Sequence, residues 1–339
     1  MVRSLLTLIV RGPIALLLLA SLTGCAPESS PPRLLLLISV DTLRADRLGG
    51  YGSDLALTPN LDALARQSLV FEAAYAPTSF TLPSIGALLT GRDPEEIGLL
   101  GNRSALAPSV PTLANELGES GWRSAAVVGN LVLRRNAGLA QGFDVYDDDL
   151  PAHESARGWP ERLARDTTDA ALAKLADFPA RNDDRLFLWV HYQDPHGPYT
   201  PPEGLRERFI EREREREDGR LLLPSRSGGR GQGRLPAYQD VDDQREVAFY
   251  RAGYDAEVHY LDAEVGRLLR ALEERAPADR AVVVFTADHG ESLGEHDYWV
   301  AHGDRLDDAL VRVPLLLRAP SVAPTRRHDI ASLVDVHPT

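Results

Sequence analysis

An α/β sandwich around a central, mostly parallel sheet is the fold class this sequence predicts, and two observations carry it. Four short apolar runs, Leu34–Val40, Ser124–Val128, Leu186–Val190 and Ala281–Thr286, are continuous rather than alternating, as strands covered on both faces are. Between them lie segments of helical character, and strands alternating with helices build a sheet layered by helices. The composition agrees: 339 residues, 43% hydrophobic and 26% charged, suffice for one large domain.

The chain begins with Arg3 and Arg11 ahead of an apolar run, Ile14 to Leu22, and then reaches Leu22-Thr23-Gly24-Cys25. This resembles a bacterial lipoprotein signal with its lipobox, in which the leader is cut before a cysteine that is then acylated. The run is shorter than the ~20 apolar residues a membrane-spanning helix needs. Residues 1–25 are therefore expected to be a signal, 26–33 a Pro/Ser/Glu tether, and 34–339 the folded domain. The mature chain would be exported and held by lipid to a bacterial membrane, on its periplasmic or outer side. Cys25 is the single cysteine, which leaves no intramolecular disulfide. A net charge of −13 argues against a nucleic-acid partner, because nothing would neutralise the phosphates.

Asn60–Ser68, behind Thr58-Pro59, predicts a helix with proline near its start. Val110–Ser120, closed by Gly121, predicts another, and alanine-rich Thr167–Leu175 a third. The longest is Tyr254–Arg275, with Val258, Leu261, Val265, Leu268, Leu269 and Leu272 on one face. Leu205–Gly233 breaks this rhythm. Glu211 to Asp218 alternates acid with arginine, and Ser225–Gly233 is rich in Gly, Ser and Arg. Such a segment reads as a solvated helix or, more simply, a charged and disordered insertion at 205–233.

Ligands of open α/β sheets bind beyond the carboxyl ends of the strands, and three of the apolar runs end in residues suited to chemistry. Leu34–Val40 ends in Asp41-Thr42, Leu186–Val190 runs into His191 and on to His196, and Ala281–Thr286 ends in Asp288-His289-Gly290-Glu291.

These residues belong to a longer series. Ser39-Val40-Asp41-Thr42-Leu43-Arg44, Thr58-Pro59-Asn60-Leu61-Asp62, Thr81 to Arg92, Asp194-Pro195-His196, Asp288 to Glu291 with Gly294-Glu295-His296, and Arg312-Val313-Pro314 follow one another. The series resembles the sulfatase branch of the alkaline phosphatase superfamily and covers most of Leu34 to Thr339. The resemblance implies an alkaline-phosphatase-like three-layer sandwich, with 34–339 as the catalytic domain of a metal-dependent ester hydrolase or transferase. It also implies that Asp41, Asp288 and His289 bind one divalent metal, with Thr81 as remaining ligand and nucleophile. Two carboxylates, an imidazole and a hydroxyl favour Mn2+ or Zn2+ over Ca2+ or Mg2+. Many sulfatases carry a second Asp where this chain has Thr42. His196 and His302 are the expected anion contacts, and either suits protonation of a leaving group. Arg44 and Arg92 could add positive charge for the substrate, although a surface salt bridge is the simpler fate of each, and His191 is expected to support its strand.

One position departs from the family. The sulfatase signature reads Cys/Ser-x-Pro-x-Arg, its first residue oxidised to formylglycine. Here Thr81-Leu82-Pro83-Ser84-Ile85 lacks both the oxidisable residue and the arginine, while Leu88-Leu89-Thr90-Gly91-Arg92 is kept. A threonine cannot become formylglycine. At an early helix position, its hydroxyl would meet the helix dipole and free N–H groups, and a metal or base could activate it. Related phosphotransferases of the superfamily use a threonine in this place. The sequence therefore predicts action on phosphate esters of a small molecule or lipid headgroup through Thr81. A sulfatase working without formylglycine is one alternative; a lipid-anchored binding protein without catalysis is another. Relatives normally continue beyond the counterpart of Asp335-Val336-His337-Pro338-Thr339 into a smaller subdomain, which is expected to be missing here.

Overall fold

The computed structural model describes residues 31–55, 57–151, 160–177, 184–224 and 231–337. The signal, Cys25 and most of the tether lie outside the described residues. Ten strands form: β1 (Leu34–Val40), β2 (Leu69–Tyr75), β3 (Arg123–Val128), β4 (Val145–Asp147), β5 (Leu186–Tyr192), β6 (Ala281–Ala287), β7 (Ser292–Leu293), β8 (Trp299–Ala301), β9 (Arg312–Arg318) and β10 (Thr325–Ser332). Among the described residues seven α-helices accompany them: α1 (Pro59–Arg66), α2 (Thr81–Thr90), α3 (Leu113–Glu119), α4 (Ala164–Asp177), α5 (Glu207–Arg214), α6 (Val247–Arg275) and α7 (Asp308–Val311).

Eight strands make one mixed sheet in the order β10-β2-β9-β6-β1-β5-β3-β4. The four runs expected from their continuous hydrophobicity are its centre. β1 pairs in parallel with β5 on one side and β6 on the other, so that Val40 lies level with both Tyr192 and Ala287. These strands are almost wholly buried, which requires helices on both faces of the sheet. The predominantly parallel α/β architecture is as predicted.

The strands that went unpredicted are those without a continuous apolar run. β2 is only half buried. β9 runs antiparallel between β2 and β6 and contains Pro314. Pairing with β2 slips between Phe71 and Ala74, opposite that proline, as expected where a strand residue has no N–H to donate. The proline carbonyl is still used, accepting the Thr286 hydroxyl at 2.8 Å. β10 closes the sheet beside β2 with Thr325 to Ile330 exposed.

The charged insertion needs correction. Its described part is ordered and includes α5, which packs on α6 with Phe209 and Glu213 buried. The alternating charges find partners: Arg214 pairs with Glu211 and Glu246, and Arg212 with Asp255. Residues 225–230 of the insertion lie outside the described residues. α6 also starts earlier than its apolar face suggested, at Val247, because its first turns are buried by the same packing. Among the described residues no helix is long and apolar enough to cross a membrane.

Candidate active site

Because β1 and β6 are parallel neighbours in register, the residues that follow them emerge side by side. Asp288 N donates to Val40 O at 3.0 Å and Asp41 N to Tyr192 O at 2.9 Å, which continues the sheet pairing to the acids themselves. Asp41, Asp288 and His289 are fully buried, and each offers a ligand atom within 4.8 Å of the others. The backbone must press close here. A Cβ on Gly290 would lie 2.1 Å from Ala309 O, and the Gly290 N–H donates to Leu310 O at 2.7 Å.

Within the cluster, one oxygen of each carboxylate is engaged and the other is open. Asp288 Oδ1 accepts from the N–H groups of Thr42 at 3.1 Å and His289 at 2.7 Å. Asp41 Oδ2 accepts from the Asn130 side-chain amide. Asp41 Oδ1 and Asp288 Oδ2 are buried without a hydrogen-bond partner, lying 3.8 Å and 3.5 Å from His289 Nε2. His289 Nδ1 sits 2.9 Å from Gly290 O, which places its proton there and turns the Nε2 lone pair toward the two open oxygens. Buried polar atoms are ordinarily satisfied, so two carboxylate oxygens left without a donor beside the Nε2 lone pair fit a divalent cation. The structure brings together three of the four residues expected to hold the metal, Asp41, Asp288 and His289.

Thr81 is the first residue of α2 and is buried, its hydroxyl 3.4 Å from His289 Nε2. Ser84, one turn on, donates to Asp288 O at 2.6 Å and ties the helix start to the end of β6. The structure thus brings Thr81 to the cluster, with the amino end of a helix facing it.

The histidines follow in a row. The His302 ring centroid lies 4.7 Å from that of His289, and His196 lies 5.1 Å beyond His302. His302 Nδ1 is 3.1 Å from Oε1 of fully buried Glu291, whose other oxygen accepts the Tyr199 hydroxyl at 3.1 Å. That contact leaves His302 Nε2 free. Arg44 does not join the row. Four of its five N–H donors go to Asp46, Glu295 and the Glu291 carbonyl, so the side chain braces the loop that carries Glu291 instead of offering charge to a substrate.

Electrostatics follow from this crowding. Burial would raise the Asp41 carboxyl, but the surrounding His196, His191 and His289 outweigh it and hold Asp41 well below the carboxylate range. Burial, then the Asp41 charge, push Asp288 well above that range; two close buried acids resist double ionisation unless a cation lies between them. Burial, reinforced by His302, lowers His289 to about 3, the neutral form a metal ligand needs. Burial also lowers His196. For His302 burial works the same way, but Glu291 prevails and the imidazole is raised.

Three supporting residues, Asn130, Glu291 and Tyr254, were missed in the sequence, and His191 has a larger part than expected. Asn130 stands just past the end of β3, where the rule that found the other strand-end residues also applies. Glu291 lay inside a recognised motif without a role. His191 does more than support its strand: Trp189 Nε1 donates to Ser39 Oγ at 2.9 Å, Ser39 Oγ meets His191 Nδ1 at 2.9 Å, and His191 Nε2 faces Asp41 Oδ2 at 3.9 Å. Tyr254 pins the loop after β1, accepting from Arg44 N at 3.0 Å and donating to Thr42 O at 2.7 Å.

The sheet and the acid–histidine cluster at its carboxyl edge define an alkaline-phosphatase-like α/β fold with a candidate divalent-cation site. The family model for sulfatases matches residues 33–339, and the chain belongs to the sulfatase family. It is 28% identical to human iduronate 2-sulfatase over 84% of this chain and 59% of that protein. It is 26% identical to choline-sulfatase of Rhizobium meliloti (strain 1021), over 90% of this chain and 66% of that one. The chain thus spans less than two thirds of these curated relatives. Its fold is similar to that of the phosphonate monoester hydrolase of Agrobacterium radiobacter, with a TM-score of 0.70 and 22% identity over 91% of this chain and 72% of that one.

Proposed function

We propose that this chain cleaves phosphate esters, with Thr81 as the nucleophile. The observation that supports this reading is the Thr81 hydroxyl at the start of α2, 3.4 Å from His289 Nε2 beside two open carboxylate oxygens. Asp41, Asp288 and His289, with Thr81, would hold one divalent cation, for which Mn2+ or Zn2+ suits the mixed oxygen and nitrogen donors. Such a cation supplies Lewis-acid charge and lowers the pKa of an adjacent hydroxyl.

Thr81 Oγ forms a bond to phosphorus as the bond to the ester oxygen breaks. The threonine hydroxyl gives its proton to solvent, and the departing oxygen takes one from Nε2 of protonated His302, whose imidazole Glu291 raises. Glu291 orients His302 for that transfer by holding Nδ1, and the N–H groups at the head of α2 face the charge on the phosphoryl oxygens. Water then attacks the phosphorus of phospho-Thr81, releasing phosphate and restoring the hydroxyl; an acceptor alcohol in place of water makes the reaction a transfer. Small-molecule or lipid-headgroup esters are the substrates proposed.

A second reading, hydrolysis of sulfate esters, draws on the names of the curated relatives, which include sulfatases for iduronate and choline sulfates. The formylglycine of the family's signature is a hydrated aldehyde from which sulfate can be expelled. Thr81 has one hydroxyl and no such route, which favours phosphate. Metal-loaded protein is assayed on p-nitrophenyl phosphate and p-nitrophenyl sulfate in parallel, with intact-mass detection of a phosphoryl adduct. The expected result is turnover of the phosphate, an adduct on Thr81, and loss of both in Thr81→Ala with metal still bound. Full activity in Thr81→Ala, or turnover of sulfate alone, overturns the reading. Export with a lipid on Cys25 remains a separate proposal, tested by palmitate labelling of the wild type against Cys25→Ser.

A further inference from the structure

Glu291 and His302 stand at the two ends of the hairpin that β7 and β8 form, and the register of that hairpin is irregular. Ser292 pairs with Ala301, but Leu293 pairs with Trp299. Two steps on β8 thus answer one on β7, and Val300 is the extra residue of a β-bulge. Its φ is 42°, in the left-handed region where a β-branched residue is a true outlier, and its side chain is buried.

A bulge changes what lies level beyond it. Outward from the Ser292–Ala301 pair, Glu291 comes opposite His302, and opposite residues share a face. Glu291 Oε1 duly lies 3.1 Å from His302 Nδ1. Continued without a break from the Leu293–Trp299 pair, the ladder would set Ala301 opposite Glu291 and turn His302 to the other face, because a slip of one residue exchanges the faces of a strand. Bulges beside active sites re-aim side chains in this way.

The bulge is held from outside the hairpin. Val300 O accepts from Gln239 Nε2 at 2.9 Å and, more loosely, from the Tyr238 hydroxyl at 3.4 Å. Gln239 is fully buried and wedged in place, since a Cβ on Gly197 would lie 1.9 Å from its Oε1. Trp299 N donates to Gly231 O at 2.9 Å, which ties the segment before Gln239 to β8. Past the bulge, the Tyr298 hydroxyl donates to His302 O at 2.8 Å. Strained backbone persists only where its surroundings over-determine it, and these contacts do so.

We infer that Val300 and Gln239 are positioning residues for His302. The bulge sets the register that joins His302 to Glu291, and the Gln239 amide holds the bulge. This rests on the reading in which His302 gives a proton to the departing oxygen, but it concerns how the imidazole is aimed and applies to a phosphate or a sulfate ester alike.

The wild type, Gln239→Leu, Val300→Gly and the double variant are assayed, metal-loaded, on phenyl and p-nitrophenyl esters of phosphate and of sulfate. Leucine keeps the bulk of Gln239 and removes the donor. Gln239→Leu is expected to lower kcat on phenyl phosphate roughly tenfold, a part of what a general acid contributes, with KM and metal content unchanged. The loss should be smaller on the p-nitrophenyl ester, whose more acidic phenol leaves with less need of a proton. Glycine adopts a positive φ without strain. In the Val300→Gly background, Gln239→Leu should therefore cost about twofold or less, a coupling that independent sites do not show. Deletion of Val300, which makes the ladder regular, should cost about a hundredfold or more. In zinc-loaded protein the His302 Nδ1 proton, held by Glu291, should give a downfield NMR signal that Gln239→Leu weakens and the double variant recovers. Equal losses on both leaving groups, no relief in the Val300→Gly background, an unchanged His302 signal in Gln239→Leu, or full kcat after the deletion overturns the inference. The expected pattern on sulfate esters, with phosphate esters left intact, keeps the inference and overturns the phosphate reading.

Discussion

Two groups of buried acids in this molecule are served in opposite ways. Asp255 and Glu213, where α5 meets α6, are fully buried and ringed by arginine. Arg47 and Arg212 reach Asp255 at 3.0 and 3.2 Å, and Arg212 and Arg216 lie 3.7 Å from Glu213. Asp41 and Asp288 are equally buried, yet among the described residues no Lys or Arg forms an ion pair with either, and the basic side chains beside them are histidines. Taking a carboxylate out of water is costly unless its charge is matched. The acids between α5 and α6 have their counter-ions in the same chain, whereas those of the candidate site leave the place open.

The sharpest way to break this contrast is Asp288→Asn. It is expected to abolish turnover and metal binding, a loss beyond the roughly 10- to 100-fold that outer-sphere changes cause, without lowering the melting temperature in chelator. Full metal content in the variant would place the cation elsewhere. At the other group, Asp255→Ala is expected to lower stability by about 3–5 kcal/mol, since it strands the buried Arg47 guanidinium. Urea unfolding measures that loss, and the metal content per folded molecule should not change. Asn130→Ala, which frees Asp41 Oδ2 from its amide donor, should weaken metal affinity by about tenfold, read by chelator competition.

The smallest effect concerns a surface acid, for scale. Burial would raise the Asp147 carboxyl, but Arg162 at 2.6 Å and Lys174 at 3.0 Å outweigh it and hold it below its ordinary 3.8. A lowered carboxylate adds stability that is complete above the unfolded value and fades as pH falls through the folded one. Asp147→Asn should therefore cost about 1 kcal/mol or less near neutral pH, and its melting-temperature deficit should shrink in acid below 3.8. A deficit that grows in acid would contradict the assignment.

How much of this was legible differs from residue to residue. Asp41, Asp288 and His289 could be read because each follows a strand announced by unbroken apolar residues, and strand ends are where open α/β sheets place their ligands. Thr81 could be read because the proline two residues on marks a helix start. Asn130 obeyed the same strand-end rule as the acids and was overlooked for want of a titratable group. Arg44 went the other way: a cation inside a recognised motif suggested substrate contact, but Asp46 and Glu295 claim it. β2, β9 and β10 were illegible for a common reason. Their sequences carry a glutamate, a proline or a charged run, and they are strands because partners on the sheet complete their hydrogen bonds, which is a non-local condition.

By itself the sequence determined what depends on local pattern: the buried central strands, the helix that presents residue 81, and the chemical types available at the candidate site. Tertiary structure alone decided which oxygen of each carboxylate stays open and which ring nitrogen of His289 and of His302 is held by a neighbour. Those outcomes depend on distances between residues far apart in the chain, and hydrogen-bond direction, tautomer and burial exist only once the packed neighbours are present.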